Sequence, residues 1–179
     1  SVMGFYVPFD YIKLYSTKEQ ATKTLEFMKL YTTKQDIITD ATAGIGGNSI
    51  FFARYYKMIN CIEINRNTFG TLKSNLKCFK NCNFYNNDFL SICKMLKQDV
   101  IFLDPPWELN YKSKKQSVLG LSDVNIKDII ENLYSYCKII AIKCPMNFEI
   151  VVNSWDFTTH YIYKNKKVNY KIIIYHKYT

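Results

Sequence analysis

Residues 35–53 read QDIITDATAGIGGNSIFFA, and this stretch decides the fold class. It begins with a short apolar, β-rich run that ends on Asp40, and it continues through a turn with three glycines. An apolar segment of helical character, residues 47–56, follows the turn. A strand, a glycine-rich turn and a helix in this order predict the first unit of an α/β fold.

The same alternation continues along the chain. Further apolar β-rich runs lie at 57–64, 82–88, 99–104 and 138–143, and helix-like stretches lie at 66–79, 89–97 and about 125–136. Runs that are apolar on both faces and separated by helices indicate a parallel sheet covered on both sides. The C-terminal stretches 154–164 and 169–178 are longer and rich in tyrosine, which predicts an antiparallel hairpin. We therefore predict a doubly wound, mostly parallel, Rossmann-like α/β sheet that ends in an antiparallel hairpin.

Length and composition limit the functional classes. The 179 residues fit one domain, 1–179, in which we expect the N-terminal segment 1–34 to contribute to the substrate side. The net charge of +9 favours a polyanionic partner, and no stretch is long enough for a membrane span. Six cysteines lie mostly within apolar runs, which predicts reduced thiols and no metal site. We expect an intracellular monomer.

Four predicted strands end on an acid, and in such sheets ligands bind beyond the carboxyl ends of the strands. These acids are Asp40, Glu63, Asp88 and Asp104. Glu63 follows Asp40 by 23 positions, where an acid can accept both ribose hydroxyls. Each acid alone could be a helix N-cap. Together with Gly44 and Gly46, which let the backbone approach a ligand, they predict a nucleoside cofactor.

The glycine turn discriminates between cofactors. The dinucleotide pattern G-x-G-x-x-G is not met, because Ser49 stands where the third glycine belongs. A pyrophosphate also prefers a helix N-terminus without a facing carboxylate, whereas Asp40 faces this turn. A cofactor that carries an ammonium and a sulfonium group fits the acid better. The turn therefore predicts S-adenosylmethionine and disfavours a nicotinamide oxidoreductase.

The tetrapeptide Asp104-Pro105-Pro106-Trp107 follows the fourth strand. A carboxylate here can accept a hydrogen bond from an exocyclic amine and orient the lone pair of its nitrogen. The prolines fix φ and offer no N–H that would compete for the acceptor. Trp107 can stack on a base, and more strongly on a cationic one. Since methyl transfer from a sulfonium mainly needs alignment, the tetrapeptide predicts methylation of a base amine.

D-P-P followed by an aromatic residue, after such a turn, resembles the signature of amino-group methyltransferases that act on bases. The likeness is greatest to the trimethylguanosine synthase family of cap-specific guanine-N2 RNA methyltransferases, within the class I S-adenosylmethionine-dependent enzymes. Residues 40–53, DATAGIGGNSIFFA, resemble its D-A-x-x-G-x-G-G-N-x-I-x-F-A loop. VIFLDPPW (100–107) stands where that family has a hydrophobic strand and S-P-P-W. YSTKEQAT (15–22) is similar to its S-x-T-P-E segment, and KCPMN (143–147) to its L-P-R-N segment.

The resemblance implies a role for each matching position. The implied cofactor-binding residues are Thr17, Asp40, Ala41, Gly44, Gly46, Asn48, Glu63, Ile64, Asp88 and Phe89. The implied catalytic residues are Asp104, Pro105, Pro106 and Trp107, and those for the substrate are Trp107, Glu108, Lys143 and Asn147. Trp107 would stack on 7-methylguanine, Asp104 would engage its Watson–Crick edge, and the partner would be capped RNA or a cap nucleotide. The second product would be S-adenosylhomocysteine.

Alternatives remain open at this point. Guanine offers N1–H and N2–H side by side to one carboxylate, whereas adenine offers a donor beside an acceptor. Asp104 stands where that family has serine, which leaves an adenine-N6 methyltransferase for RNA or DNA as a second hypothesis. A catalytically silent RNA-binding subunit is a third, although such a subunit need not keep the cofactor acids. Residues 111–123, with Lys112, Lys114 and Lys115, could form a lid that meets phosphates.

Overall fold

The computed structural model describes residues 6–7, 16–107, 119–164 and 167–177. The helices are α1 (Lys18–Met28), α2 (Ser49–Tyr55), α3 (Arg66–Leu76), α4 (Phe89–Ile92) and α5 (Ile126–Asn132). The strands are β1 (Ile37–Asp40), β2 (Met58–Ile62), β3 (Cys82–Tyr85), β4 (Val100–Leu103), β5 (Gly120–Leu121), β6 (Val124–Asn125), β7 (Ile139–Cys144), β8 (Asp156–Lys164) and β9 (Lys167–His176). Glu108 and the predicted lysines 112, 114 and 115 of the lid lie outside the described residues.

The main sheet has the strand order β3-β2-β1-β4-β7-β9-β8. The first five strands in this order are parallel, and β9 runs antiparallel to both β7 and β8. The order reverses between β1 and β4, which is the switch point where ligands of such sheets bind. The predicted fold class is therefore confirmed, including the C-terminal hairpin.

The central strands are buried on both faces. Every residue of β1, β4 and β7 is buried. Side chains on one face, such as Ile101 and Ile140, pack with Trp155 in one apolar cluster. Those on the other face, such as Phe102, pack with Phe52 in a second cluster. The two clusters explain why these strands read as continuous apolar runs.

Two elements differ from the sequence prediction. α1 was not predicted, yet it carries a capping box between Thr17 and Gln20 and buries Ala21, Leu25 and Met28 along one face. β5 lies within the segment 111–123 that was interpreted as a lid, and it pairs with β6 directly after that segment in a short antiparallel ribbon. The predicted strand 82–88 ends at Tyr85, because the polar residues 86–88 form the turn that leads into α4. The predicted helix 89–97 ends at Ile92.

The described part of the chain was compared with the requirements of a membrane-spanning helix and of a metal site. Within it, no helix combines the length and apolar character needed to cross a bilayer. The same residues contain no group of three or more potential metal ligands. All six cysteines are free thiols, and four of them are buried.

Candidate active site

A cleft of about 830 Å³ lies at the carboxyl edge of the sheet. One half is lined at the ends of β2 and β3 by Glu63, Ile64, Asp88 and Phe89, with Ala41 between the halves. The other half is lined by Asp104–Trp107, Lys143, Asn169 and Tyr170. The volume suits a nucleoside-sized ligand together with a second base. The structure thus brings the strand-end acids Glu63, Asp88 and Asp104 to one cavity, as predicted.

The glycine turn is left-handed at Gly44 (φ 56°) and Gly46 (φ 98°). A Cβ on Gly46 would collide with the side chain of Leu76, so this glycine is required by packing as well as by its φ. A Cβ on Gly44 would meet nothing within 4 Å, so the backbone there faces open space. A ligand can therefore approach the main chain at Gly44.

Glu63 ties the glycine turn to the start of α3. Its Oε2 accepts a hydrogen bond from the Gly44 amide at 3.0 Å, and its Oε1 accepts one from the Asn65 amide at 2.7 Å. Burial raises the pKa of this carboxyl, and the two amides partly oppose that effect. Each carboxylate oxygen keeps a second lone pair, so Glu63 can still accept hydrogen bonds from a ligand in the cleft.

Asp40 lies beneath the turn rather than on the cleft wall and is 1% exposed. Its Oδ2 accepts a hydrogen bond from the Ser49 hydroxyl at 2.6 Å, while Oδ1 has no hydrogen-bond partner among the described residues. Burial raises the pKa of Asp40 to about 7, with smaller contributions from the charges of Asp104 and Glu63. A buried acceptor without a donor fits a cationic ligand group nearby.

Asp88 serves as a helix cap and also lines the cleft. Its Oδ1 accepts a hydrogen bond from the Leu90 amide at 2.9 Å, which begins α4. The N-cap reading, considered above as an alternative for each acid, therefore applies to this residue. Because its carboxylate also borders the cavity, the capping role does not exclude contact with a ligand.

Asp104 and Lys143 form a partly buried ion pair. The Nζ of Lys143 lies 2.7 Å from Oδ2 of Asp104, and the two side chains are 10% and 20% exposed. The Asp104 amide donates to the Thr42 hydroxyl at 2.9 Å, which fixes the loop after β4 against the turn after β1. The acid predicted to orient a base amine is thus held in place by a cation from β7.

Two aromatic rings border the ion pair. The ring centroids of Trp107 and Tyr170 are 6.2 Å apart and tilted by 57°. The Nζ of Lys143 lies 5.9 Å from the Trp107 centroid and 5.0 Å from that of Tyr170. Trp107 is half-buried and packs against both apolar clusters while it lines the cleft. Burial raises the pKa of Tyr170, so its hydroxyl stays protonated.

Ser16 links Lys143 of β7 to Asn48 of the glycine turn. Its hydroxyl accepts hydrogen bonds from Lys143 Nζ at 3.1 Å and from the Asn48 side chain at 3.0 Å. A Cβ on Gly47 would lie 3.1 Å from the Ser16 carbonyl, so the two backbones are closely packed. The N-terminal segment therefore contributes to the site through Ser16, and Gln20 of α1 lines the cleft.

The other predicted residues take different positions. Asn48 is buried behind the cleft against Ser16, and Thr17 caps α1 and borders a separate groove. Asn147 does not belong to the described residues that line the cleft. No role was predicted for Ser16, Gln20 or Tyr170; for Gln20 the capping pattern with Thr17 was the available signal.

Comparisons with known proteins identify the family to which the chain is similar. Residues 35–178 match the family of RNA cap guanine-N2 methyltransferases. The chain is 33% identical over 124 residues to "Uncharacterized protein L320" of Acanthamoeba polyphaga mimivirus, covering 65% of this chain and 48% of that protein. It is 31% identical over 126 residues to the trimethylguanosine synthase of Schizosaccharomyces pombe, covering 65% of this chain and 52% of that enzyme. The chain thus spans about half the length of these relatives.

A solved structure shares the fold at low sequence identity. SMU.1697c of Streptococcus mutans, a putative methyltransferase in complex with SAH, superposes with a TM-score of 0.62 at 12% identity. The match covers 88% of this chain and 97% of that structure. At this identity the likeness concerns the fold alone.

Proposed function

Because the chain belongs to the RNA cap guanine-N2 methyltransferase family, we propose that it methylates the exocyclic N2 of guanine in a 7-methylguanosine RNA cap. Its fold is that of the class I methyltransferases, and S-adenosylmethionine is the cofactor. When bound, this cofactor supplies an electrophilic methyl group on a sulfonium. The residues described above would then bind and orient the two ligands.

The cofactor half of the cleft fits S-adenosylmethionine. Glu63 keeps lone pairs for the ribose hydroxyls, and Asp88 would accept a hydrogen bond from the adenine amine. The open space at Gly44 would let the amino-acid part of the cofactor reach the main chain. The buried carboxylate of Asp40, whose Oδ1 accepts no hydrogen bond of ordinary geometry from the described residues, would favour the positive charges of the ammonium and sulfonium groups.

The proposal rests on one observation, the Asp104–Lys143 pair in the substrate half of the cleft. The edge of guanine carries O6, N1–H and N2–H in a row. The carboxylate of Asp104 can accept hydrogen bonds from N1–H and N2–H. Lys143 Nζ has three N–H donors, of which two go to Asp104 and Ser16, so the third can be donated to O6. An acceptor beside a donor complements guanine at three points.

Each residue of the substrate half has a separate task. The face of Trp107 can stack on the base, and the positive charge of 7-methylguanine strengthens that contact. Asp104 holds one N2–H and thereby turns the nitrogen lone pair toward the cofactor side of the cleft. Transfer of the methyl group to N2 would break its bond to the cofactor's sulfur and would release one proton from the nitrogen. Asp104 takes up this proton and, being partly exposed, can pass it to water.

The same ion pair also suits adenine, which keeps adenine-N6 methylation as a second candidate. Asp104 would accept a hydrogen bond from the N6 amine, and Lys143 would donate one to N1. Because the carboxylate of Asp104 is paired with a cation, the pair can match the donor and the neighbouring acceptor of adenine as well.

A methyl-transfer assay with labelled cofactor tests the proposal. Three acceptors are compared, namely m7GTP, GTP and an adenine oligonucleotide without guanine, with the Asp104→Ala variant as the inactive control. We expect transfer to m7GTP above all. Transfer to the adenine oligonucleotide alone would overturn the cap assignment in favour of adenine. Absence of transfer to any acceptor, together with absence of cofactor binding by calorimetry, would favour a silent RNA-binding subunit.

A further inference from the structure

A second groove leaves the catalytic cleft between α1 and the edge strand β8. Its volume is about 600 Å³. Gln20 of α1 and Asn169 of β9 line both the groove and the cleft, so the two cavities adjoin. A ligand whose terminal base lies beside Trp107 can therefore continue into the groove.

The junction of the two cavities is built by a β-bulge. In the β8–β9 ladder, Ile162 pairs with Tyr170 and Tyr163 pairs with Val168, which leaves Asn169 outside the register. Bulges next to active sites commonly redirect a side chain. Here the bulge lies where Asn169 borders both cavities, one residue from Tyr170 of the substrate half.

The groove combines aromatic rings with cations and amides. Tyr161 and Tyr163 of β8 line it and are 44% and 58% exposed, and Phe27 lines its α1 side. Lys18 and Lys23 line it beside one lining acid, Glu19. The Nζ of Lys23 also pairs with the exposed Glu26 at 2.7 Å, so Lys18 is the lining cation outside this pair. Aromatic rings that stack bases, next to lysines that contact phosphates, are the pattern of single-stranded nucleic acid binding. The amides of Gln20 and Asn169 can donate to phosphate and accept from a ribose 2′-hydroxyl.

We propose that this groove binds the single-stranded RNA that follows the cap nucleotide. The inference rests on the proposed function, because the groove would hold the nucleotides that follow a cap base bound at Trp107. An RNA occupant is favoured over a protein one because the groove opens into the base-binding cleft. The net charge of +9 also favours a polyanion.

Steady-state methyl transfer to a short and a long acceptor tests the proposal. The acceptors are the dinucleotide m7GpppA and a capped RNA octamer with the same 5′ end. For the Lys18→Glu/Lys23→Glu variant we expect kcat/KM on the octamer to fall about tenfold at low salt, with kcat/KM on the dinucleotide unchanged. Glutamate at position 18 lies in the first turn of α1, where a negative charge is favourable, whereas Lys23→Glu removes the exposed pair with Glu26. Circular dichroism of the variant therefore checks that the helix is retained.

The matched control is Lys77→Glu/Lys80→Glu. It changes the net charge equally but lies between α3 and β3, at the sheet edge opposite β8. A Tyr163→Ala variant tests stacking separately: it should weaken octamer binding about tenfold, and Tyr163→Phe should restore it. The neutral variant Lys18→Gln/Lys23→Gln should reduce the slope of log affinity against log salt by about 1.4, since each of the two lost phosphate contacts accounts for about 0.7.

Two outcomes overturn the groove assignment. One is an unchanged kcat/KM on the octamer in both the Lys18→Glu/Lys23→Glu and the Tyr163→Ala variants. The other is an equal loss of kcat/KM on the octamer in the control variant Lys77→Glu/Lys80→Glu. Failure of the proposed function is distinguishable, because the wild type would then not methylate m7GpppA on guanine. In that case fluorescence anisotropy with the labelled octamer still measures whether the groove variants bind RNA less tightly than the control.

Discussion

The ammonium of Lys143 lies 2.7 Å from the carboxylate of Asp104 and 3.1 Å from the hydroxyl of Ser16. This contact joins β7 to the loop after β4 and to the N-terminal segment. It holds Asp104 at the wall of the cleft. One of the three N–H donors of Lys143 remains for a ligand, because the other two go to Asp104 and Ser16. The pair therefore presents acceptors beside a donor, which is the pattern that a guanine edge requires.

The donor role of Lys143 can be tested by changing one atom of the base. The wild type should methylate 7-methyl-6-thioguanosine triphosphate about tenfold less efficiently than m7GTP, because sulfur accepts hydrogen bonds weakly. Lys143→Met should lose about 10- to 100-fold in kcat/KM on m7GTP and should no longer distinguish the two substrates. If Lys143→Met keeps the full tenfold preference, Lys143 does not contact O6. Lys143→Arg, which keeps the charge, serves as the conservative control.

The ring of Trp107 should matter for cap binding and not for cofactor binding. Trp107→Ala should weaken binding of m7GTP by about 10- to 100-fold, since base–aromatic stacking accounts for roughly 1–3 kcal/mol. The affinity for S-adenosylhomocysteine, measured by calorimetry, should change less than threefold because the ring lies in the substrate half. An equal loss of both affinities, with the fold intact by circular dichroism, would mean that the ring is structural. Trp107→Phe should retain most of the binding.

Asp40 should make the stability of the cofactor-free protein depend on pH. Its pKa is raised from 3.8 to about 7 in the folded state, so the native protein keeps a proton that the unfolded chain loses. The stabilisation that comes from burying Asp40 in its protonated form is fully present below pH 3.8, and it is lost as the pH rises through 7. The free energy of unfolding should fall by on the order of 3 kcal/mol between pH 5 and pH 8 from this group. Asp40→Asn should flatten this slope in urea titrations; an unchanged slope would contradict the assignment.

Cofactor binding should release a proton from the same group. A cation bound near Asp40 lowers the pKa of its carboxyl, so affinity for S-adenosylmethionine should increase as the pH rises from 6 to 8. Calorimetry in buffers of different ionisation enthalpy measures this proton release. Absence of proton release at pH 7 in the wild type would show that the cofactor's charge does not act on Asp40. The Asp40→Asn variant should show none.

Two glycines should respond oppositely to alanine. Gly46→Ala places a side chain at φ 98° and against Leu76, so it should destabilise the protein by about 1–3 kcal/mol. Gly70→Ala lies within α3 with no atom within 4 Å of the new Cβ, so it should stabilise the protein by about 0.5–1 kcal/mol. Thermal unfolding checks both changes. Equal effects would mean that the glycine turn does not need its left-handed backbone.

The sheet and its row of acids could be predicted from the sequence because burial on both faces leaves a clear pattern. A strand such as Val100–Leu103 is entirely apolar, and the first polar residue after it, Asp104, marks the carboxyl edge. The position of the acids then follows from chain direction alone. For Asp88 the sequence did not show which of two roles applies, and in the structure its carboxylate both caps α4 and lines the cleft.

The Asp104–Lys143 pair could not be predicted in the same way. The two residues are 39 positions apart, and their contact depends on β4 and β7 being neighbours in register. Lys143 is 8% exposed inside an otherwise apolar strand, where a lysine is rarely found without a partner. That isolated charge was the one available signal. Tyr170 gave no such signal, because tyrosines occur throughout the hairpin.

The central claim is tested most directly by identifying the methylated nucleoside. The wild-type protein is incubated with m7GpppA and S-adenosylmethionine, the product is digested to nucleosides, and these are separated and identified by mass spectrometry. The account predicts guanosine methylated at N7 and N2, with adenosine unchanged. N6-methyladenosine in the digest, with the 7-methylguanosine unaltered, would contradict it.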